Sequence, residues 1–283
     1  MPASPSSSAQ AARQAVAARL RELLHDAGLK GQELATRCGW HPSKTSRILN
    51  AVTPPSEADI RAWCSACDAD DQTADLIATA RAVDGMYREW RRVHRDGMRR
   101  AQRDWNTWHE DAGLCRIYVS NVVPGVLQTA AYATALLASI TRFQGTPDDV
   151  TEAVAARVAR SRLLHEGGHR FAFLLEETVL RHRLGTAQVM AGQLRHLLAV
   201  MPLASVSLGI IPFGADRTMW PLEGFYLFDD QHVGVETLTA EINVTQPREI
   251  ADYVHAFAEL SRSAVYGDAA RALITAALTG LGE

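Results

Sequence analysis

A short segment that begins at Pro42 carries polar side chains whose types and spacing suit contacts with DNA. If the segment is helical, Thr45, Ile48 and Leu49 fall at i, i+3 and i+4 and form a stripe that faces inward. The polar side chains of the opposite face are Ser43, Lys44 and Arg47. An outward arginine can donate two hydrogen bonds to guanine, and lysine or serine can contact bases or phosphates. We therefore predict a recognition helix. Its expected DNA-contacting set is Gln32, His41, Ser43, Lys44, Thr45, Ser46 and Arg47.

The neighbouring residues position this segment as the second half of a helix-turn-helix. A helix from about Gly31 to Cys38 would bury Leu34 on its inner side. Gly39 would end that helix, because glycine adopts the left-handed conformation of a tight turn without strain. Pro42 suits the first position of the next helix, where a missing N–H removes no intrahelical bond. The alternative is a helical hairpin that packs without contacting DNA.

Three stretches, LATRCGW, SKTSRILN and SEADIRAWCSAC, resemble the Cro/repressor-like, xenobiotic-response-element type of helix-turn-helix. The resemblance implies sequence-specific DNA binding. In the third stretch, Ser56 and Asp59 also form a predicted capping box at a helix start. The chain departs from the family at Leu49, where glutamate is usual, and at Ala51, where glycine is usual. Both departures concern how the recognition helix ends.

The length and composition indicate a two-domain protein. A chain of 283 residues exceeds the usual length of one domain, and 47% hydrophobic with 22% charged residues is ordinary for a globular protein. No apolar run is long enough to cross a membrane. The first ten residues, MPASPSSSAQ, lack the features of a secretion signal. We expect a cytoplasmic protein with a flexible tail at residues 1–9, a helix-turn-helix domain at 10–70, a helical connector at 71–110 and a second domain at 111–283.

The charge is distributed unevenly. Residues 1–110 contain 16 basic and 14 acidic side chains, whereas residues 111–283 contain 13 and 18. The basic excess around the helix-turn-helix is small, which predicts a homodimer that reads two half-sites. The connector also contains an arginine-rich run. Its candidates for phosphate contacts are Arg91, Arg92 and Arg95, and a solvated helix face is the alternative.

Cysteine spacing raises a redox alternative that the local pattern argues against. Cys64 and Cys67 stand in WCSAC, which superficially resembles a thioredoxin motif. A reactive thiol would need to begin a helix after a strand, where the helix dipole lowers its pKa. Here the pair falls inside a predicted helix. We therefore expect buried, reduced thiols, and the four cysteines of the chain form no zinc pattern.

The second domain reads as alternating helices and short strands. Cys115, Ile117 and Val119 alternate with polar residues, as in a strand. HRFAFLLEETVL, VSLGIIPF, FYLFDD and HVGVETLTAE are further predicted strands, and Thr146 would cap a helix whose outward arginines are Arg157, Arg160 and Arg162. The predicted fold is a mainly α helix-turn-helix bundle followed by an α+β or α/β domain, with a small sheet and flanking helices.

A second resemblance covers about residues 10–275. The stretches PGVLQTAAYA, ARVARSRLL, FLLEETVLRHRLG, QLRHLL and SLGIIPF are similar to the second domain of WhiJ-type, antitoxin-like regulators from actinomycetes. The resemblance implies a transcription regulator that works with a small partner protein, and it implies no known ligand. The chain departs from the family at Trp108-His109 and at Ala159 to Leu163. If the arginines within Ala159 to Leu163 form the surface that binds the partner protein, the partner of this chain differs from that of the family as well.

An enzymatic alternative rests on scattered carboxylates and histidines. Glu176 and Glu177 would share one strand, and His165 and His169 are separated by two helix-ending glycines. None of the usual nucleophile, zinc or phosphate-binding motifs is present. We predict no catalytic residue, no metal and no cofactor. Candidates for a ligand pocket are Glu176, Trp220, Phe225, Tyr226 and Glu236.

The functional prediction is a sequence-specific DNA-binding regulator that is not an enzyme. Its partners would be a double-stranded DNA operator and either a small-molecule effector or a small partner protein, with no membrane association. Two alternatives stay open. One is an antitoxin-like protein that neutralises a small partner, and the other is an enzyme that has kept a regulator's architecture.

Overall fold

The computed structural model describes the backbone of residues 5–95 and 97–282. Side chains are described for residues 13–77, 79–80, 90, 93–95, 97–99, 101–103 and 105–282. The chain divides into two compact units, Met1–Arg88 and Glu89–Glu283. Each unit has its own hydrophobic core.

The first unit is a bundle of five helices among the described residues. They are α1 (Pro5–Asp26), α2 (Gly31–Arg37), α3 (Pro42–Leu49), α4 (Glu57–Ala66) and α5 (Thr73–Met86). The predicted capping box starts α4: Asp59 N–H donates to Ser56 Oγ at 3.2 Å, and Ser56 N–H donates to Asp59 Oδ2 at 3.1 Å. Leu34 and Ile48 meet the buried Trp63 in the core. Trp63 Nε1 donates to Leu20 O at 3.2 Å, which satisfies its only polar group.

The cysteines of this unit are structural. Cys64 and Cys67 are buried and free, and burial raises the pKa of both thiols, that of Cys67 to about 11. A thiol with such a pKa holds its proton at neutral pH. The prediction of buried, reduced thiols inside a helix is confirmed.

Two predicted boundaries differ from the structure. Helix α1 begins at Pro5, so the flexible tail expected at residues 1–9 is wrong for residues 5–9, and residues 1–4 lie outside the described part. The predicted connector at 71–110 is not one segment. Helix α5 packs against α1 in the first unit, whereas residues from Glu89 onward belong to the second. Both errors have one cause. The periodicity of the sequence shows that a helix has an apolar face, but it does not show which hydrophobic core that face joins.

The second unit contains one mixed sheet. A short strand, β1 (Tyr87–Glu89), spans the boundary between the two units in sequence. The six strands that follow are β2 (Leu114–Val119), β3 (Arg170–Glu176), β4 (Val206–Ile211), β5 (Phe225–Phe228), β6 (His232–Glu236) and β7 (Ala240–Val244). Their order is β7-β6-β5-β2-β3-β4. Strand β3 runs parallel to β2 and β4, and the pairs β2-β5, β5-β6 and β6-β7 are antiparallel.

Helices flank this sheet. They are α6 (Trp90–Val93), α7 (Arg99–Asp111), α8 (Ala130–Gln144), α9 (Val150–Ala159), α10 (Glu177–Arg181), α11 (Ala187–Val200), α12 (Pro247–Arg262) and α13 (Gly267–Thr279). Thr129 and Thr186 cap α8 and α11 through their hydroxyls. The architecture confirms the predicted helical bundle followed by an α+β domain, and the sheet mixes the parallel and antiparallel pairings that the prediction left open.

Three local predictions in this unit are wrong. Glu177 starts α10 instead of continuing β3, because its carboxylate accepts hydrogen bonds from Phe213 N–H and Arg181. HVGVETLTAE forms two strands, with a turn closed by a hydrogen bond from Thr237 N–H to Ala240 O at 2.8 Å. Helix α9 begins at Val150 and not near Thr146.

Candidate nucleic-acid interface and candidate ligand cavity

The turn between α2 and α3 has the predicted chemistry. Gly39 has a φ of +67°, and the chain then enters α3 at Pro42. His41 caps α3, because its Nδ1 accepts a hydrogen bond from Ser43 N–H at 3.3 Å and lies 2.8 Å from Ser43 Oγ. The amino-terminal end of the helix is thereby fixed.

Five members of the predicted DNA-contacting set are exposed. They are Gln32, His41, Ser43, Ser46 and Arg47. The Arg47 guanidinium makes no hydrogen bond or ion pair with the described side chains, so all its donors face solvent. Asn50 Nδ2 donates to the Ser46 carbonyl at 2.8 Å, which ties the end of the same face to the helix. This face presents one exposed guanidinium beside small polar side chains.

Two members of the set do not fit a free DNA-facing role. Thr45 is 1% exposed, so its hydroxyl lies inside the bundle and cannot reach a base. Lys44 Nζ donates to Asp59 Oδ1 at 2.6 Å and lies 4.4 Å from the centre of the Trp40 ring. Burial would raise the pKa of Asp59, but hydrogen bonds from Lys44 and Ser56 outweigh it and hold that pKa below its usual range. Lys44 therefore joins α3 to α4.

The exit of the recognition helix explains why glycine is usual at position 51. Ala51 has a φ of +52°, a conformation that costs a residue with a Cβ about 1 to 2 kcal/mol. Its N–H donates to Ile48 O at 3.0 Å, and Val52 N–H donates to Arg47 O at 2.9 Å. The helix ends at Leu49 by this left-handed turn, although the residue that favours the turn is missing.

The candidates for phosphate contacts remain largely undescribed. The side chains of Arg91 and Arg92 lie outside the described residues, and Arg95 is exposed. Division of the chain at Arg88 assigns all three to the second unit. Their role stays a prediction.

The second unit contains a cavity of about 490 Å³. Helices α7, α8 and α9 supply much of its wall, together with the end of β6. Of the predicted pocket residues, Tyr226 and Glu236 line it. The volume lies in the range of small-molecule sites, about 300 to 1,000 Å³.

The other three predicted pocket residues lie elsewhere. Glu176 Oε1 accepts hydrogen bonds from Arg217 Nη1 and Tyr118 Oη, both at 2.9 Å. Its carboxylate is therefore already paired within the protein. Phe225 packs on Tyr118 and Tyr253. Trp220 is 58% exposed. Adjacent strand residues face opposite sides of a sheet, which separates Phe225 from Tyr226.

Sequence reasoning placed Arg157 and Arg160 on an outward face, and that placement is wrong. Arg160 is 5% exposed and Arg157 is half-buried, and both line the cavity. Only Arg162 faces outward, where it pairs with Glu110 at 2.5 Å. Arg157 follows the buried Ala153 by one turn of α9, and Arg160 directly follows the end of that helix, but the sequence does not show which face of the helix is buried.

Side-chain amide groups hold Arg157 and Arg160. Arg157 Nε and Nη1 donate to Gln102 Oε1 and Gln128 Oε1, each at 3.0 Å. Arg160 Nε donates to Asn106 Oδ1 at 2.6 Å, and its Nη2 donates to the Gln102 carbonyl oxygen at 3.1 Å and to Gln102 Oε1 at 3.3 Å. No carboxylate of the described side chains forms an ion pair with either guanidinium. These amides orient the arginines without neutralising them.

The pKa values of the cavity side chains reflect the two guanidinium charges that the amides leave unneutralised. Burial and, second, the charge of Arg157 lower the pKa of Arg160 to about 9, yet the group stays protonated at neutral pH. Glu236 lines the cavity and is exposed to solvent, although many protein atoms surround its carboxyl group. Burial raises the pKa of its carboxyl, and Arg157 and Arg160 act in the opposite direction. Burial also raises the pKa of the Tyr226 hydroxyl, which is therefore a neutral hydrogen-bonding group.

Two negative findings apply to the described residues alone. No helix there is long and apolar enough to cross a membrane. No cluster of three or more His, Cys, Asp and Glu side chains in the same residues could hold a metal ion.

Fold and site together define a helix-turn-helix protein with a second, cavity-containing domain. Residues 15–77 match the family model described as helix-turn-helix domain. Residues 102–276 match the model described as domain of unknown function (DUF5753), and because this match covers more than half of the chain, the protein belongs to that family.

The other comparisons add little. No curated protein matches the chain. One similar solved structure is described as "Structure of TrmBL2, an archaeal chromatin protein, shows a novel mode of DNA binding". It shares 12% identity with a TM-score of 0.31, and the alignment covers 84% of this chain and 88% of that one. At that TM-score the likeness carries no argument about the fold.

Proposed function

We propose that this protein is a sequence-specific DNA-binding transcription regulator whose second domain binds a small-molecule effector. The observation that carries the proposal is the exposed, unpartnered Arg47 on the recognition helix of a helix-turn-helix domain. Ser43 and His41 stand on the amino-terminal end of that helix, which is the end that contacts bases in this class of DNA-binding motif.

A homodimer fits the weak local field. Residues 13–61 carry 8 basic and 5 acidic side chains, a small excess for binding a polyanion. Two copies on one operator would double the number of contacts and read half-sites one helical turn apart, about 10 base pairs. The proposal therefore includes a two-fold symmetric operator.

An effector fits the second domain better than a protein partner held by Arg157 and Arg160. Both side chains line a cavity, Arg157 is half-buried and Arg160 is 5% exposed, so a folded partner would have little access to them. We propose binding without chemical conversion, so a bound effector should be recovered unchanged from the protein.

Selection from genomic DNA tests the proposal. The purified full chain would be mixed with sheared genomic fragments at about 0.15 M salt, and bound fragments would be sequenced. We expect one enriched motif with two inverted half-sites. Enrichment without any shared motif would contradict sequence-specific binding, and a single, asymmetric half-site would contradict the dimer.

A further inference from the structure

Among the side chains that the structure describes, the cavity of the second unit contains more positive than negative charge. We infer that it binds an amphipathic small molecule with one anionic group, which Arg157 and Arg160 hold together. The inference rests on the proposed effector function, because it names the chemical class of that effector.

The two guanidiniums are close to each other. Gln102 Oε1 accepts a hydrogen bond from Arg157 Nε at 3.0 Å and another from Arg160 Nη2 at 3.3 Å. Two like charges on one amide oxygen repel each other, and burial in a low dielectric strengthens the repulsion. Removal of water from an unpaired charge is also costly. A bound anion would relieve both effects.

The unused donors point to where that anion would bind. Arg157 Nη2 and Arg160 Nη1 make no hydrogen bond with the described residues. Gly125 lines the same cavity, and a Cβ built on it would lie 3.6 Å from Arg160 Nη1. The missing side chain therefore leaves the approach to this nitrogen open. A carboxylate or phosphate oxygen could accept from both guanidiniums there.

The charge balance sets the charge of the ligand. Among the described side chains that line the cavity, Arg157, Arg160 and Glu236 have a formal sum of +1. A single carboxylate neutralises this sum and a phosphate monoester exceeds it by less than about one charge, whereas a polyphosphate would leave more negative charge beside Glu236. His94 also lines the cavity, where its Nδ1 lies 2.8 Å from Gln144 Oε1 and its ring stacks on Trp90.

Part of the wall is apolar. Buried side chains of Met98, Trp105, Leu136 and Leu137 line it, with Ile140 beside them. An apolar body would displace water from this surface, and the burial of apolar area favours binding. A ligand with a single charged end and an aromatic or aliphatic body matches both the two arginines and the apolar part of the wall.

A matched pair of fluorescent probes tests the inference on the full chain. The anionic probe is 8-anilino-1-naphthalenesulfonate, and N-phenyl-1-naphthylamine has the same ring system without the sulfonate. We expect the anion to bind at one site per chain, about 10-fold or more tighter than the neutral probe, as one charge-assisted hydrogen bond provides. Equal affinities would contradict the inference.

Substitutions then locate the site. Arg157→Gln and Arg160→Gln should each weaken the anionic probe about 10-fold or more and leave the neutral probe within about twofold. Arg162→Gln is the matched control, because Arg162 is exposed and follows Arg160 by two residues. If Arg157→Gln loses both probes, Arg157→Lys decides: a kept preference for the anion supports the inference, and equal binding overturns it.

Competition separates the two sources of an anionic group. 1-Naphthaleneacetate and 1-naphthyl phosphate would be titrated against the bound sulfonate probe. Displacement by the acetate alone assigns a carboxylate ligand, and displacement by the phosphate alone assigns a phosphate monoester. Displacement by neither would overturn the anion site.

Failure of this inference differs from failure of the proposed function. If the protein selects an operator but both probes bind equally, the ligand class is wrong and the regulator stands. If the anionic probe binds through Arg157 and Arg160 but no operator is selected, the site stands and the DNA-binding function is wrong.

Discussion

Lys44 and Arg47 lie on the same recognition helix, and their surroundings give them different roles. Lys44 has a side chain that is 38% exposed and pairs with Asp59, which is 14% exposed. Arg47 is exposed and has no ion-pair partner among the described side chains. A lysine that already has a partner must break an ion pair before it can contact DNA, whereas Arg47 loses only rotational freedom.

Replacing these two residues should separate DNA reading from stability. Arg47→Ala should weaken binding to the selected operator by about 1 to 3 kcal/mol and relax one base position. Lys44→Ala should weaken binding less and destabilise the first unit by about 1 kcal/mol or less, since the pair is partly exposed. Fluorescence anisotropy and urea unfolding measure the two effects. A larger loss of operator affinity for Lys44→Ala than for Arg47→Ala would contradict the assignment.

Single residues also mark the limit of sequence reasoning about the cavity. Tyr226 and Glu236 could be named in advance because aromatic and acidic side chains on strands are natural pocket candidates. Arg157 and Arg160 could not, because an arginine on a helix is exposed in most proteins. Their amide partners come from Gln102 and Gln128, which are distant in sequence, so no local pattern announces them.

At the scale of elements, helix α7 depends on a residue from a distant loop. Asp149 Oδ1 accepts from Met98 N–H at 2.9 Å, and its Oδ2 accepts from Arg99 N–H at 2.8 Å. Gly97 precedes them with a φ of +101°, and a Cβ there would collide with the same carboxylate. The carboxylate thus satisfies two free donors at the positive end of α7. That helix carries Gln102 into the cavity.

Removal of this cap should disturb both stability and the cavity. Asp149→Ala should cost about 1 to 2 kcal/mol in the unfolding of the second unit, as the loss of a helix cap does. It should also weaken the anionic probe, because the α7 side chain that orients both arginines moves. The neighbouring Asp148→Ala is the control, since Asp148 is exposed and, among the described residues, accepts only from Val150 N–H, at 3.3 Å. Equal effects of the two substitutions on urea unfolding would rule out the capping role.

For the whole molecule, the separate cores predict separate unfolding. Leu34 lies at 0% exposure in the core of the first unit and Leu194 at 0% in that of the second. Calorimetry should resolve two transitions. Leu34→Ala should lower the midpoint temperature of one transition, and Leu194→Ala that of the other. Each substitution should reduce the unfolding free energy of its own unit by about 2 to 5 kcal/mol. A single transition that both substitutions shift would show that the units unfold together.

The amino-acid sequence by itself determined the elements whose signals are local. The turn at Gly39, the proline at the start of α3, the Ser56–Asp59 capping box and the alternation of β2 each depend on a few adjacent residues, and all lie where expected. Local backbone preferences and side chain-to-backbone bonds act over three or four positions. The class of fold followed from these elements.

Only the tertiary structure decided which faces became interior. It directed Arg157 and Arg160 into a cavity, paired Lys44 with Asp59, and drew Glu176 away to Arg217. Each of these outcomes depends on a partner from another element, and burial changes the energy of a charge by more than any local preference does. The recognition helix could therefore be read from the sequence, whereas the charge of the proposed effector could be inferred only after the chain had folded.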